Sequence, residues 1–116
     1  MLERLSKNGG INLEKQYNVL RLNPIDNIAV ALRNIGIGEP IVVAGLEEEI
    51  IAINEIPYGH KVALITIREN EEITKYGECM GISTEEILRG DHVHVRNVRG
   101  LNESERLAII NQPLSV

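Results

Sequence analysis

The 116-residue chain has no tryptophan, no phenylalanine and only three tyrosines, Tyr17, Tyr58 and Tyr76. Without large aromatic side chains the core has to be aliphatic, and the β-branched residues that dominate it favour strands. A single cysteine, Cys79, excludes an internal disulfide framework and suits a reducing compartment. It reads as a small, half-buried strand residue. Cations are also scarce. Twelve Lys and Arg against 17 Asp and Glu give a net charge of −5, which argues against nucleic acid or an anionic membrane as partner. Long apolar runs and a signal-peptide pattern are missing, so a cytoplasmic chain is expected. Missing too are a nucleotide-binding glycine loop, a nucleophile elbow and Cys–His metal spacing.

What is present fits one mainly β domain, with compact, loop-rich short strands and one or two short helices. Residues 1–17 are polar and interrupted by "KNGG", and read as an N-terminal arm with one helical turn at Leu2–Leu5. Residues 18–99 form the β domain, with strands expected at 18–22, 28–33, 41–44, 49–54, 61–67, 73–76 and 93–98. "STEEILRG" is a short helix candidate, with Ser83 or Thr84 as N-cap and Gly90 as stop. Residues 100–116 are a short helix and tail. There Asn102 and Glu105 form a capping box, Leu107 shares one side with Ile110 or Ile109, and the helix ends before Pro113. That helix either folds back on the domain or meets a partner.

A repeat runs through the β region: apolar, two variable residues, a turn residue, a polar residue, one variable, apolar. It reads "IGIGEPI" at 35–41, "IPYGHKV" at 56–62, "IRENEEI" at 67–73 and "ILRGDHV" at 87–93. Gly38, Gly59, Asn70 and Gly90 share one place, and Gly and Asn tolerate a left-handed backbone best. Each copy should be a tight turn that launches a strand, and 35–62 and 67–93 look like two related halves. His60 then aligns with Asp91, and Lys61 with His92.

The chemistry-bearing residues cluster at these turns. In "HVHVRNV" alternation turns Val93 and Val95 one way and His92, His94 and Arg96 the other. Two histidines so placed can reach one metal ion, and an arginine can hold a carboxylate. The same face equally suits a wet surface strand. His60 and Lys61 begin the strand after "PYG", where polar residues are commonly just exposed. Asp26 and Asn27 precede an apolar strand, a common position for side-chain-to-backbone turns. Lys75 and Tyr76 stand before Gly77, where they either bind an anion or simply face water.

Taken together, "DNIAVAL", "IPYGHKVAL" and "ITKYGECMGISTEEILRGDHVHVRN" resemble the N-terminal domain, or separate small subunit, of the altronate/galactarate dehydratase family, from about residue 20 to 98. The small subunit of sulfolactate sulfo-lyase is similar. The resemblance implies a SAF-type β-clip fold and a part of a carbon–oxygen lyase, a hydro-lyase acting on a small sugar acid. It implies a partner, the large catalytic subunit or domain, without which the chain is inactive, and leaves room for a homo-oligomer. It implies a divalent metal, Fe²⁺ or Mn²⁺, in the complete enzyme, with none necessarily bound by this chain alone. On the matching positions, His60, His92 and His94 are the catalytic candidates. Asp26, Asn27, Lys61, Lys75, Tyr76 and Asn97 are the substrate-binding candidates, joined by Arg96, which departs from the family pattern, and His92 and His94 are the metal candidates. Relatives often carry a third alternate histidine where this chain has Arg96, which cannot ligate a metal but suits an anionic substrate. Two other readings stay open: the small subunit of a sulfolactate-type sulfo-lyase, and a non-catalytic SAF module that binds carbohydrate or protein.

Overall fold

The computed structural model describes residues 16–110. The expected helical turn at Leu2–Leu5 and most of the N-terminal arm lie outside them, as does the tail from residue 111. Among the described residues nine short strands and one helix follow in order: β1 Val19–Leu20, β2 Ile28–Ala31, β3 Pro40–Ile41, β4 Ile50–Ile51, β5 Lys61–Ala63, β6 Glu72–Lys75, β7 Glu78–Ser83, β8 His92–Val93, β9 Val98–Arg99 and α1 Glu103–Ile110. The strands among the described residues pair antiparallel, in a four-stranded sheet β1-β2-β5-β8, a three-stranded sheet β9-β7-β6 and the pair β3-β4. The domain is mainly β, as its composition requires.

The repeat is the frame of the fold. Both apolar ends of all four copies are buried: Ile35 and Ile41, Ile56 and Val62, Ile67 and Ile73, Ile87 and Val93. Isolated bridges join Ile35 to Ile56 and Ile67 to Ile87, so each half closes on itself in the same way. The turn is also the same four times, closed by Glu39 N to Gly36 O, His60 N to Pro57 O, Glu71 N to Arg68 O and Asp91 N to Leu88 O. Gly38, Gly59, Asn70 and Gly90 have φ of 87°, 83°, 70° and 88°, the left-handed third position of a type II turn. The two halves supply two aliphatic clusters. One gathers Val19, Ile35, Ile41, Val43, Ile50, Ile56, Val62 and Leu64. The other gathers Ile28, Ala63, Ile67, Ile73, Ile87 and Val93, with Val98 against it.

Three expectations need correction. "STEEILRG" is not a helix: Ser83 ends β7, Ile87 is held in the bridge to Ile67, and Gly90 is a turn residue. Tertiary pairing overrides the local capping pattern there. Residues 78–83, absent from the expected strands, form the longest strand, paired on one side with β6 and on the other with β9. The strand expected at 93–98 breaks into β8 and β9, and Val95 is 80% exposed rather than inward-facing. The capping box holds: Glu105 N donates to Asn102 Oδ1 at 2.8 Å, and Asn102 N to Glu105 Oε1 at 2.9 Å. Helix α1 buries none of its residues, and Leu107, Ile109 and Ile110 stand exposed.

Candidate functional site

The pairing of β5 with β8 sets Lys61 opposite Val93 and Val62 opposite His92. One residue further along the same register, His60 stands opposite His94. Strand alternation puts His92 on the same side as His94. The three histidines therefore meet, with every pair of ring centroids 5.0–5.1 Å apart. His60 Nδ1 and His92 Nε2 are 2.8 Å apart, and the rings of His60 and His94 are nearly parallel, at 4°. Burial, helped by the charges of His60, His94 and Arg96, pushes the His92 imidazole down to about 4 despite Asp91 beside it. At neutral pH it is an uncharged nitrogen donor or acceptor.

Asn97 fixes the loop that carries two of these rings. It is 1% exposed; its Nδ2 donates to His92 O at 2.9 Å, and its Oδ1 accepts from His94 N at 2.8 Å. Arg96 lies exposed in this turn, near enough for its charge to act on His92. Asp26 and Asn27 act at a distance in sequence. The buried Asp26 carboxylate accepts from the backbone N–H groups of Asn23, Tyr76 and Gly77, at 3.1, 3.0 and 2.8 Å. Asn27 Nδ2 donates to Glu72 O and its Oδ1 accepts from Thr74 N, both at 2.8 Å. Both side chains dock the β6–β7 hairpin. Tyr76 forms the tip of that hairpin, exposed at φ 57°, with Lys75 Nζ 4.8 Å from its ring centre.

An open cleft of about 420 Å³ runs along the seam between β5–β8 and the β6–β7–β9 sheet. Its apolar lining is Ile73, Met80, Val93, Val95 and Val98; its polar residues are His60, Lys61, Lys75 and His94, with Arg99 and Gly100 at its edge. None of these lining residues is acidic. Burial, and then the nearby Lys75 ammonium, depress the Lys61 pKa. Two cations that repel each other in a concave wall are stabilised when an anion settles between them. Arg99 was not among the sequence candidates. Its weak cue was its place between the "HVHVRN" segment and the Asn102 cap, which only the β9–β7 pairing turns into a position on the cleft.

The chain is similar to known proteins over most of its length. The family model for the altronate/galactarate dehydratase SAF domain matches residues 17–101. The chain belongs to that family. Over 80 residues, or 69% of the chain, it is 38% identical to altronate dehydratase from Bacillus subtilis (strain 168), matching 16% of that protein's length. It is 36% identical over 75 residues, 64% of the chain, to galactarate dehydratase (L-threo-forming) from Escherichia coli (strain K12), matching 14% of it. It is also 43% identical over 44 residues, 38% of the chain, to (2R)-sulfolactate sulfo-lyase subunit alpha from Chromohalobacter salexigens, matching 47% of it. The chain thus spans less than half of each relative. No helix among the described residues is long and apolar enough to cross a membrane.

The donor set gives a partial fit to a divalent metal. Two nitrogen ligands at right angles on bonds of about 2.1 Å lie about 3 Å apart, and His60 Nδ1 and His92 Nε2 have that spacing. Neutral imidazoles are suitable ligands for iron. A third ligand does not converge with them, because no group of three His, Cys, Asp or Glu among the described residues is placed to hold an ion.

Proposed function

We propose that the chain is the SAF part of a sugar-acid dehydratase of the altronate/galactarate type, contributing imidazoles and cations to a site completed by a larger catalytic part. The observation that carries this reading is the cleft lined by His60, Lys61, Lys75 and His94, with no carboxylate residue among its lining. Such a wall favours a carboxylate-bearing ligand and disfavours a neutral sugar. The relatives' lengths support the partition, since each extends well beyond the part this chain matches.

Eliminating water from a hydroxy acid requires removal of the proton beside the carboxylate and protonation of the departing hydroxyl. Lys61 and Lys75 hold the carboxylate and withdraw charge from the carbon that loses its proton. His94, on the cleft wall, supplies a proton to the leaving oxygen, and the proton beside the carboxylate passes to a base of the catalytic part. Ile73, Val93 and Val98 exclude water beneath these groups, which strengthens each charge–charge contact. Asn97, Asp26 and Asn27 keep the loop and hairpin in place. His60 and His92 would hold the divalent metal with ligands from the catalytic part. When bound, it supplies Lewis acidity toward the carboxylate and hydroxyl oxygens.

The test is reconstitution. The chain alone should show no dehydration of altronate or galactarate, and co-expression with its catalytic part should restore it in the presence of Fe²⁺ or Mn²⁺. His60→Ala and His94→Ala should each then lower turnover by about a hundredfold or more. Wild-type rates in both variants would remove the histidines from the chemistry. Turnover of sulfolactate in place of sugar acids would assign the chain to the sulfo-lyase branch.

A further inference from the structure

We propose that Tyr76, with Ile25 beside it, is a preformed anchor for the larger catalytic part as that part closes over the cleft. The anchor presupposes the reading of this chain as the SAF part of a two-part enzyme. Tyr76 is the first residue of the tight turn between β6 and β7, at φ 57°, and Gly77 follows at φ 76°. Turns of this type select Asn or Gly at both positions, because a larger side chain is strained in the left-handed region. Elsewhere the chain keeps to that rule: the other described residues with positive φ are Asn70 and glycines. A tyrosine at this place lowers stability, so the turn alone does not explain it.

The strain is held rather than relieved. The Asp26 carboxylate, in a residue only 5% exposed, accepts from Tyr76 N at 3.0 Å and from Gly77 N at 2.8 Å. Segment 23–26 packs against the turn: a Cβ on Gly77 would come within 2.8 Å of Asn23 Nδ2 and 3.9 Å of Ile25 Cδ1. A buried clamp thus fixes a ring that belongs to neither aliphatic cluster. Tyr76 is 55% exposed and Ile25 67%. Strained residues held by their surroundings concentrate where a protein meets a ligand or a partner. Tyrosine suits a protein partner, since its large ring loses little rotamer freedom on burial.

The place of the ring points to what covers it. Lys75 lines the cleft, and its Nζ is 4.8 Å from the centre of the Tyr76 ring, but Tyr76 itself is not part of the lining. The anchor therefore stands on the rim, beside the space that a small acid would fill. The lining holds imidazoles and lysines but no acid, so a carboxylate that completes the metal's ligands or accepts a proton has to come from the covering face. Such a face is acidic over the cleft and apolar where it meets Tyr76 and Ile25, and so complements this one in charge. Met80 and Val95, both on the cleft and 49% and 80% exposed, offer it further apolar contacts.

Two measurements on the full chain test this: its Tm alone, and its affinity for the purified catalytic part. Tyr76→Asn gives the turn its preferred residue and should raise Tm by roughly 3–6 °C. The same substitution should weaken association about ten- to a hundredfold. Tyr76→Phe keeps the ring and should bind within about threefold of wild type. Ile25→Ser should weaken association by about three- to tenfold. Ile37→Ser, at a residue as exposed as Ile25 but not on the cleft, should leave it unchanged. Loss of affinity without loss of Tm supports the anchor. If Tyr76→Asn binds the catalytic part as tightly as wild type, the inference is overturned and the two-part reading stands. A fall in both Tm and affinity also overturns it, because the ring would then be a support of the hairpin. If the wild-type chain neither binds the catalytic part nor completes its activity, the reading fails and the inference with it.

Discussion

Residues 35–62 and 67–93 follow nearly the same path, yet only the second half is built out toward the cleft. Both halves close through an Ile–Ile bridge and begin and end in the same left-handed turn. Between those turns they diverge. In the first half β3 and β4 are two residues each, joined by the loop 42–49. In the second half β6 and β7 form a hairpin of four and six residues around the two-residue turn Tyr76–Gly77, with φ of 57° and 76°. That turn type matches the twist of the flanking strands, so the hairpin can extend. Its extension brings Ile73, Lys75 and Met80 to the cleft, while the first half contributes only Gly59, His60 and Lys61 from its last turn. A repeated frame carries both aliphatic clusters, and an elaboration of one copy carries much of the cleft lining.

The equivalent glycines offer the most severe way to separate the halves. A Cβ at Gly59 meets open space, whereas at Gly90 it runs into the Ile51 carbonyl oxygen. Gly59→Ala should therefore cost only the left-handed backbone penalty, about 1–2 kcal/mol. Gly90→Ala should exceed about 3 kcal/mol, because backbone has to move. Urea unfolding of the two variants measures the difference, and equal losses would mean that the turns are energetically interchangeable.

A second effect isolates the hairpin. Asp26→Ala leaves the N–H groups of Asn23, Tyr76 and Gly77 without their carboxylate, a loss of roughly 2–4 kcal/mol. Hydrogen exchange should accelerate across residues 72–83 and stay near wild type across 40–51. Uniform acceleration would show that the two halves unfold as one unit.

The smallest effect concerns the aligned pair Lys61 and His92, of which only the second-half member titrates as an imidazole. His92 takes its proton near pH 4 when folded and near 6.5 when unfolded. Its contribution is therefore complete above pH 6.5 and is lost as pH falls toward 4, because the unfolded chain is protonated first. With chelator present, the Tm should drop between pH 7 and pH 5 by an amount equivalent to roughly 1 kcal/mol, allowing for solvent screening of a partly exposed ring. His92→Gln should flatten that part of the profile. An unchanged slope would place the depressed pKa elsewhere.

Much of the frame was legible before any coordinates. The turn residues and the buried apolar ends of the repeat follow from local rules, since a left-handed position selects Gly or Asn and a strand next to it buries alternate residues. The Asn102–Glu105 cap was legible for the same reason. β7 was not, because "ECMGIS" has few β-branched residues, and Gly81 interrupts it. That glycine is required by a long-range contact: a Cβ there would lie 2.6 Å from Arg99 O. The site was half legible. The alternation of His92 and His94 was visible, but its extension to Arg96 failed because Asn97 folds the chain into a turn between β8 and β9.

By itself the sequence determined a mainly β, aliphatic, internally repeated domain with histidines and lysines at its turns, because turn chemistry and alternation act between residues close along the chain. Only the tertiary structure decided which of those polar groups meet. The β5–β8 register set His60 against His94, and Asp26 reached across 50 residues to dock the hairpin. The β7–β9 pairing brought Val98 and the backbone of residues 99 and 100 to the edge of the cleft. Those choices depend on backbone hydrogen bonds between distant segments, whose partners are fixed only when the two aliphatic clusters close.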